Sequence, residues 1–224
     1  MTLPHRNDKC VNRIFTSVLT AFIFFSISCF DLNAQVNYGK EFRHLSCSEK
    51  RWVILHPFIA KKTFRLSIRA REAANEMLND SLLDQDVSGG QNDAWRHTFW
   101  MALLSQHICW RKARGLGKAH EKGNYREFKK RKAEEGVLPD SVSRAMDLFN
   151  NEIGIAIGRA NEKLPEEDLK KAVRDSVLAG KAKVVLKNEK GEVLNCDGYV
   201  IDEKKYFHVW NIPKCLVNSD YRKK

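Results

Sequence analysis

The sequence predicts a mainly α protein, a compact helical domain of about five to six helices with a small C-terminal β appendage. Three observations predict it. Apolar residues recur at helical spacing between Ser48 and Gly180, and capping residues and glycines punctuate that pattern. Strand-like alternation begins only after Gly180. At 224 residues with 43% hydrophobic residues, the chain can bury one proper core.

Taken in order, Ser48 caps a short helix through Leu55, which Pro57 ends. Phe58 to Leu78 follows, with Ala60, Phe64, Ile68, Ala74 and Met77 near helical spacing. Asn79 to Gly90 is a loop rich in Asp, Ser and Gly. Asn92 caps a long helix through about Arg114, closed by Gly115 and Gly117. Lys118 to Glu135 reads as a charged helix with a break near Gly123. Asp140 caps the next helix, Ser141 to Asn161. Leu164-Pro165-Glu166 opens another, whose inner face is Leu169, Ala172, Val173, Ser176 and Val177 and whose stop is Gly180. Val184 to Leu186, a turn at Asn188 to Gly191, and Val193-Leu194 then read as a hairpin. Tyr199 to Ile201 and Tyr206 to Trp210 are further strand candidates.

The N-terminus reads as an export signal. Arg6, Lys9 and Arg13 precede an uncharged apolar run, Ile14 to Phe30, and small residues follow. The expected cleavage point is after Ala34, so the domains are 1–34 signal peptide, 35–180 helical domain and 181–224 β appendage. A retained membrane anchor and lipidation at Cys29 are the competing readings. The protein is therefore expected in the periplasm or outside the cell, with membrane contact only through an uncleaved leader. Cys47, Cys109, Cys196 and Cys215 lie beyond the leader, and four cysteines allow three pairings. Cys196 with Cys215 is the favoured pair, with free thiols the other reading.

The net charge is +11, and the leader carries three basic and two acidic residues, so its removal leaves +10. Such a surface suits an anionic envelope component, although plain solubility explains it as well. The basic run Arg126 to Lys132 reads as a solvated helix face. It has no interleaved aromatics at groove spacing, so nucleic acid is not the expected partner.

Three places carry polar residues where a core should be apolar. Asp93 and His97 are four apart and share a helix face with Trp100, Leu104 and Ile108, so that face points inward. His120 and Glu121 are adjacent and reach different neighbours. On the helix after Asp140, Asp147, Asn150, Asn151, Gly154 and Gly158 form a stripe opposite the wet side marked by Glu152 and Arg159. Each glycine costs that helix about 1 kcal/mol against alanine, which makes sense where another helix or a substrate approaches closely. The set exceeds what one structural network needs, and such groups shift one another's pKa values.

The motifs Asp93-x2-Arg96-His97-x2-Trp100, His120-Glu121 and Met146-Asp147-x2-Asn150-Asn151-x2-Gly154, in this order, resemble an uncharacterised bacterial domain family of exported and toxin-associated proteins. The resemblance covers roughly Glu49 to Ala160. It implies a helical fold and an export context, and no established reaction. A looser similarity is to the His-Asp phosphohydrolase superfamily, whose ligand order His97, His120-Glu121 and Asp147 mimic. Glu stands where that superfamily has Asp, and the spacing to Asp147 is short.

The expected activity is hydrolysis of an anionic envelope substrate, a phosphoester, lipid or cell-wall polymer. Asp93, His97, His120, Glu121, Asp147 and Asn151 are the candidate catalytic residues, and Arg96, Asn150 and Trp100 the substrate-binding ones. A divalent cation, zinc or manganese, would take His97, His120 and Asp147 as ligands. The alternative is a non-enzymatic envelope-binding or toxin-inhibitor protein in which the cluster is a structural network.

Overall fold

A computed structural model describes residues 38–130, 138–206 and 208–221. The proposed leader and the end of the basic run lie outside the described residues. Within them the order is α1 (Tyr38–His44), α2 (Cys47–Leu55), α3 (Pro57–Met77), α4 (Gln91–His107), α5 (Trp110–Lys129), α6 (Ser141–Ala160), α7 (Glu166–Leu178), β1 (Lys183–Val185) and β2 (Leu216–Asn218). The protein is mainly α, as its periodicity predicts. Among the described residues, no helix is long and apolar enough to cross a membrane.

The architecture is built around α4. Buried residues occur on every side of this helix, as expected of an element enclosed by others. It packs most extensively on α6 and also touches α3, α5, α7 and β1. One apolar cluster joins Ala70 and Ala73 of α3, Trp95, Phe99 and Leu103 of α4, and Leu169, Val173 and Val177 of α7. A second joins Trp52 of α2, Met101 and Leu104 of α4, Ala113 and Leu116 of α5, and Ile155 of α6. Each large apolar side chain buried this way contributes about 1.5–3 kcal/mol.

Several element ends differ from the sequence reading. The cap of α2 is Ser46, not Ser48. Its hydroxyl accepts from Glu49 N at 3.3 Å, and Glu49 Oε2 accepts from Ser46 N at 2.8 Å, a complete capping box. The long helix read from Asn92 to Arg114 is two helices. Gly90 holds the N-cap position of α4, and Ile108 turns extended, buried with Trp52 and Leu104. Core burial of Ile108 at this corner overrides helical continuity. Gly115, Gly117 and Gly123 then lie inside α5, where they admit neighbours rather than stop or break the helix. A Cβ on Gly117 would stand 3.1 Å from Asn151 Nδ2.

Asp140 caps α6 as read, its Oδ1 accepting from Val142 N at 2.7 Å and Ser143 N at 2.9 Å. The two glycines of α6 face α4. A Cβ on Gly154 would lie 2.1 Å from Thr98 O, and one on Gly158 would lie 2.2 Å from Ala102 O. The close approach expected at these glycines is therefore backbone against backbone.

The β region also differs. β1 pairs antiparallel with β2, Val184 opposite Val217, rather than with Val193-Leu194. The expected hairpin survives as the single bridge of Lys187 with Val193, and the candidate strand Tyr199 to Ile201 as the single bridge of Leu194 with Val200. Of the candidate strand Tyr206 to Trp210, Tyr206 ends a 3-10 turn, Glu203–Tyr206, and residues 208–210 hold a turn and a bend. Ala182 and Val184 insert into the first apolar cluster, and the long-range pairing with β2 lies beyond what local alternation reveals. Cys196 and Cys215 form a disulfide, as favoured from sequence, while Cys47 is a free, exposed thiol. Closing a loop of this length stabilises by about 3 kcal/mol in the chain-entropy account.

Candidate metal centre

Four helices converge near the N-terminal end of α4. Asp93 sits in its first turn, where the helix dipole favours a carboxylate, and Oδ2 accepts from Gly89 N at 2.7 Å. Its other oxygen, Oδ1, accepts from Arg96 Nη2 at 2.6 Å. One turn on, His97 Nε2 lies 3.6 Å from Asp93 Oδ1 and 3.3 Å from Asp147 Oδ1, the latter delivered by α6. One ligand atom from each of Asp93, His97 and Asp147 falls within 4.8 Å of the others. The imidazole is only 3% exposed, and the two carboxylates about a tenth.

These groups are incompletely satisfied. His97 Nδ1, Asp147 Oδ1 and both amide atoms of Asn151 are buried without a hydrogen-bond partner. Burying such atoms unpaired costs about 1–3 kcal/mol each. Burial, then the charges of Arg96 and His120, hold the His97 pKa well below its usual value, while Asn151 favours the charged ring from nearby. Burial, then Glu121 and Asp93, push the Asp147 carboxyl well above the carboxylate range. Crowded carboxylates beside a neutral imidazole suit a cation, which every one of these shifts would welcome.

The triad lies between two cavities. A groove of about 730 Å³ is lined by Arg96, His97, Trp100, His120 and Glu49. A smaller one, about 240 Å³, is lined by Asp93, Arg96, Glu121, Asn124, Asp147 and Lys214. Arg96 and Asn124 border both.

The His120-Glu121 doublet divides as its adjacency requires. Glu121 is wholly buried and lines the smaller cavity with Asp147. His120 faces the larger groove, its Nδ1 3.0 Å from Glu49 Oε1 and its ring edge-on to Trp100. The His97 and His120 ring centroids are 6.5 Å apart. His120 thus stands beside the trio of Asp93, His97 and Asp147 rather than within it. Asn150 is also placed elsewhere. Its amide clasps Lys183, accepting from N at 2.8 Å and donating to O at 2.9 Å, so it anchors β1 rather than a substrate.

Glu49 is the residue that the sequence reading missed. Burial pushes its carboxyl up, but hydrogen bonds and charge from His120, with the Ser46 capping bonds, prevail and bring the pKa to about 2. The signal was available as Ser46-x2-Glu49, a capping box. Because the folded pKa lies below the unfolded one, this dyad stabilises above about pH 4.5, and the contribution is lost as pH falls toward about 2. Glu49→Gln is expected to flatten the acid limb of a stability-versus-pH curve, removing roughly 2–3 kcal/mol at neutral pH. Urea unfolding from pH 2 to 7 measures it, and an unchanged curve contradicts the pairing.

The family model described as Domain of unknown function (DUF6973) matches residues 50–181. The chain belongs to this family. The DUF6973 span runs from α2 through α7 and holds Asp93, His97, His120, Glu121 and Asp147, while Glu49 stands one residue before it. No curated protein and no solved structure matches the chain.

Proposed function

We propose that this DUF6973 chain is a metal-assisted hydrolase of an anionic envelope substrate (a phosphoester, a lipid or a cell-wall polymer), working in the periplasm or outside the cell. The observation that carries the proposal is the convergence of Asp93, His97 and Asp147 on one point beside a groove. A tetrahedral ion with bonds of about 2.0–2.1 Å needs ligand atoms about 3.3–3.4 Å apart. The 3.3 and 3.6 Å separations at His97 Nε2 come close to that edge. One nitrogen and two carboxylate oxygens suit zinc or manganese. A cation there would lower the pKa of a bound water toward neutrality.

The chain's own groups supply the rest. Arg96 borders both cavities and is 31% exposed, so its guanidinium can meet a phosphate or carboxylate. Glu49 fixes the tautomer and orientation of His120, which would move a proton at the leaving group. Asn151 lies near enough to His97 to favour its charged ring, as a residue orienting a ligand would. The net charge of +11, which is +10 without residues 1–34, and the disulfide support an anionic substrate and an oxidising compartment.

Chromogenic phosphodiester, phosphomonoester and acyl-ester substrates test the activity on protein loaded with zinc or manganese. His97→Ala is expected to lower the rate by about a thousandfold or more, and His120→Ala by about a hundredfold. Wild-type rates from folded His97→Ala would remove the triad from the mechanism.

A further inference from the structure

Where α2 meets α3, three large apolar side chains point straight into water. Ile54 is 68% exposed, Leu55 65% and Phe58 98%. They occupy the last turn of α2 and the first turn of α3, either side of the corner at His56 and Pro57. The inner faces of the same helices are satisfied, with Trp52 buried and Val53 and Ile59 packed on the second cluster. The outward knuckle is therefore surplus to the core, and leaving it in water opposes solubility.

The charge around it has one sign. From Lys50 to Arg71 the chain carries seven basic residues and no acidic one. Helical spacing puts Arg51 beside Ile54 and Leu55, and Lys61, Lys62 and Arg65 on the Phe58 side, all exposed. Lys61 lies over the ring of Tyr38, and Lys62 donates to the carbonyl of His107. Arg69, further along α3, differs, being matched by Glu76 of the same helix and Glu166 of α7.

We propose that this knuckle docks the protein on an anionic phospholipid bilayer, Ile54, Leu55 and Phe58 entering the headgroup region and the basic ring meeting lipid phosphates. Apolar side chains inside a cationic rim are the arrangement that interfacial binding needs, each half supplying affinity the other lacks. Charge complementarity selects the anionic bilayer over a neutral one. The outer knuckle and the wall of the 730 Å³ groove belong to the same two helices, since Lys50, Val53, Ala60 and Phe64 line that groove. Docking would bring the groove's rim to the lipid surface. The inference stands whether or not the chain is a hydrolase.

Co-sedimentation of the full chain with phosphatidylglycerol and with phosphatidylcholine vesicles tests it. Wild-type protein should prefer the anionic vesicles. The triple variant Ile54→Ser, Leu55→Ser, Phe58→Ser should bind them about tenfold or more weakly. Lys61→Gln with Arg65→Gln should weaken binding roughly tenfold at low salt and little at high salt. All five positions are exposed, so thermal unfolding should be unchanged, which confirms that the variants are folded. Equal binding by the triple variant and the wild type overturns the proposal, because the apolar residues 14–30 or another surface then carry the contact. Equal binding to both vesicle types overturns it too. So does a dimer that the triple variant dissolves while lipid binding persists, since the knuckle's occupant is then a second copy.

Discussion

Asp147→Asn is expected to keep the fold as stable as wild type, or to stabilise it by about 1–3 kcal/mol at neutral pH, while abolishing tight binding of zinc or manganese. The reason is the neighbourhood of the carboxyl. Burial, then Glu121 and Asp93, raise its pKa well above the ordinary value. In the unfolded chain it ionises near 3.8. As pH rises from there toward the folded pKa, the unfolded state sheds its proton first, so stability is lost. Asparagine keeps the shape and cannot ionise. Little is forfeited at His97, because the 3.3 Å contact with Asp147 lacks hydrogen-bond geometry. His97 contributes the opposite slope. Its pKa is depressed, so its share of stability is complete above about pH 6.5 and is lost as pH falls below that. A loss of several kcal/mol in Asp147→Asn, followed by denaturant unfolding at pH 5 and 7, would instead make the cluster a structural network.

Gly154→Ala and Gly158→Ala should each destabilise by about 2 kcal/mol or more. Alanine improves helix propensity by about 1 kcal/mol, which works in the other direction. The new methyl, however, would sit 2.1 Å from Thr98 O or 2.2 Å from Ala102 O. Both obstacles are backbone of α4, so no rotamer change relieves them, and the helices must separate. Repulsion wins over propensity. Asp147 is two turns from Gly154 on α6 and would be carried away from His97, so cation affinity should fall in the same variants. Urea denaturation decides it, since a gain of about 1 kcal/mol would mean the helices never approach so closely.

Much of the centre was legible because buried polar residues at helical spacing announce themselves. Asp93 and His97 share a face by arithmetic, and the inward stripe Asp147, Asn150, Asn151, Gly154 and Gly158 is buried throughout. What periodicity cannot supply is the order of approach in space. It placed His120 among the metal ligands, whereas Glu49 from a distant helix holds that ring. It gave Asn150 to a substrate, whereas the edge of β1 claims both ends of its amide. The corner at Ile108 was hidden for a related reason. Residues 92 to 114 are acceptable as one helix locally, and only the packing of Ile108 against Trp52 and Leu104 makes the bend favourable.

The central claim is that Asp93, His97 and Asp147 hold a divalent cation, and isothermal titration of chelator-treated protein with zinc and with manganese tests it most directly. The account predicts one equivalent bound by the wild type, with affinity reduced at least a hundredfold in His97→Ala and in Asp147→Asn. Absence of binding by the folded wild type, or equal binding by all three proteins, would contradict it.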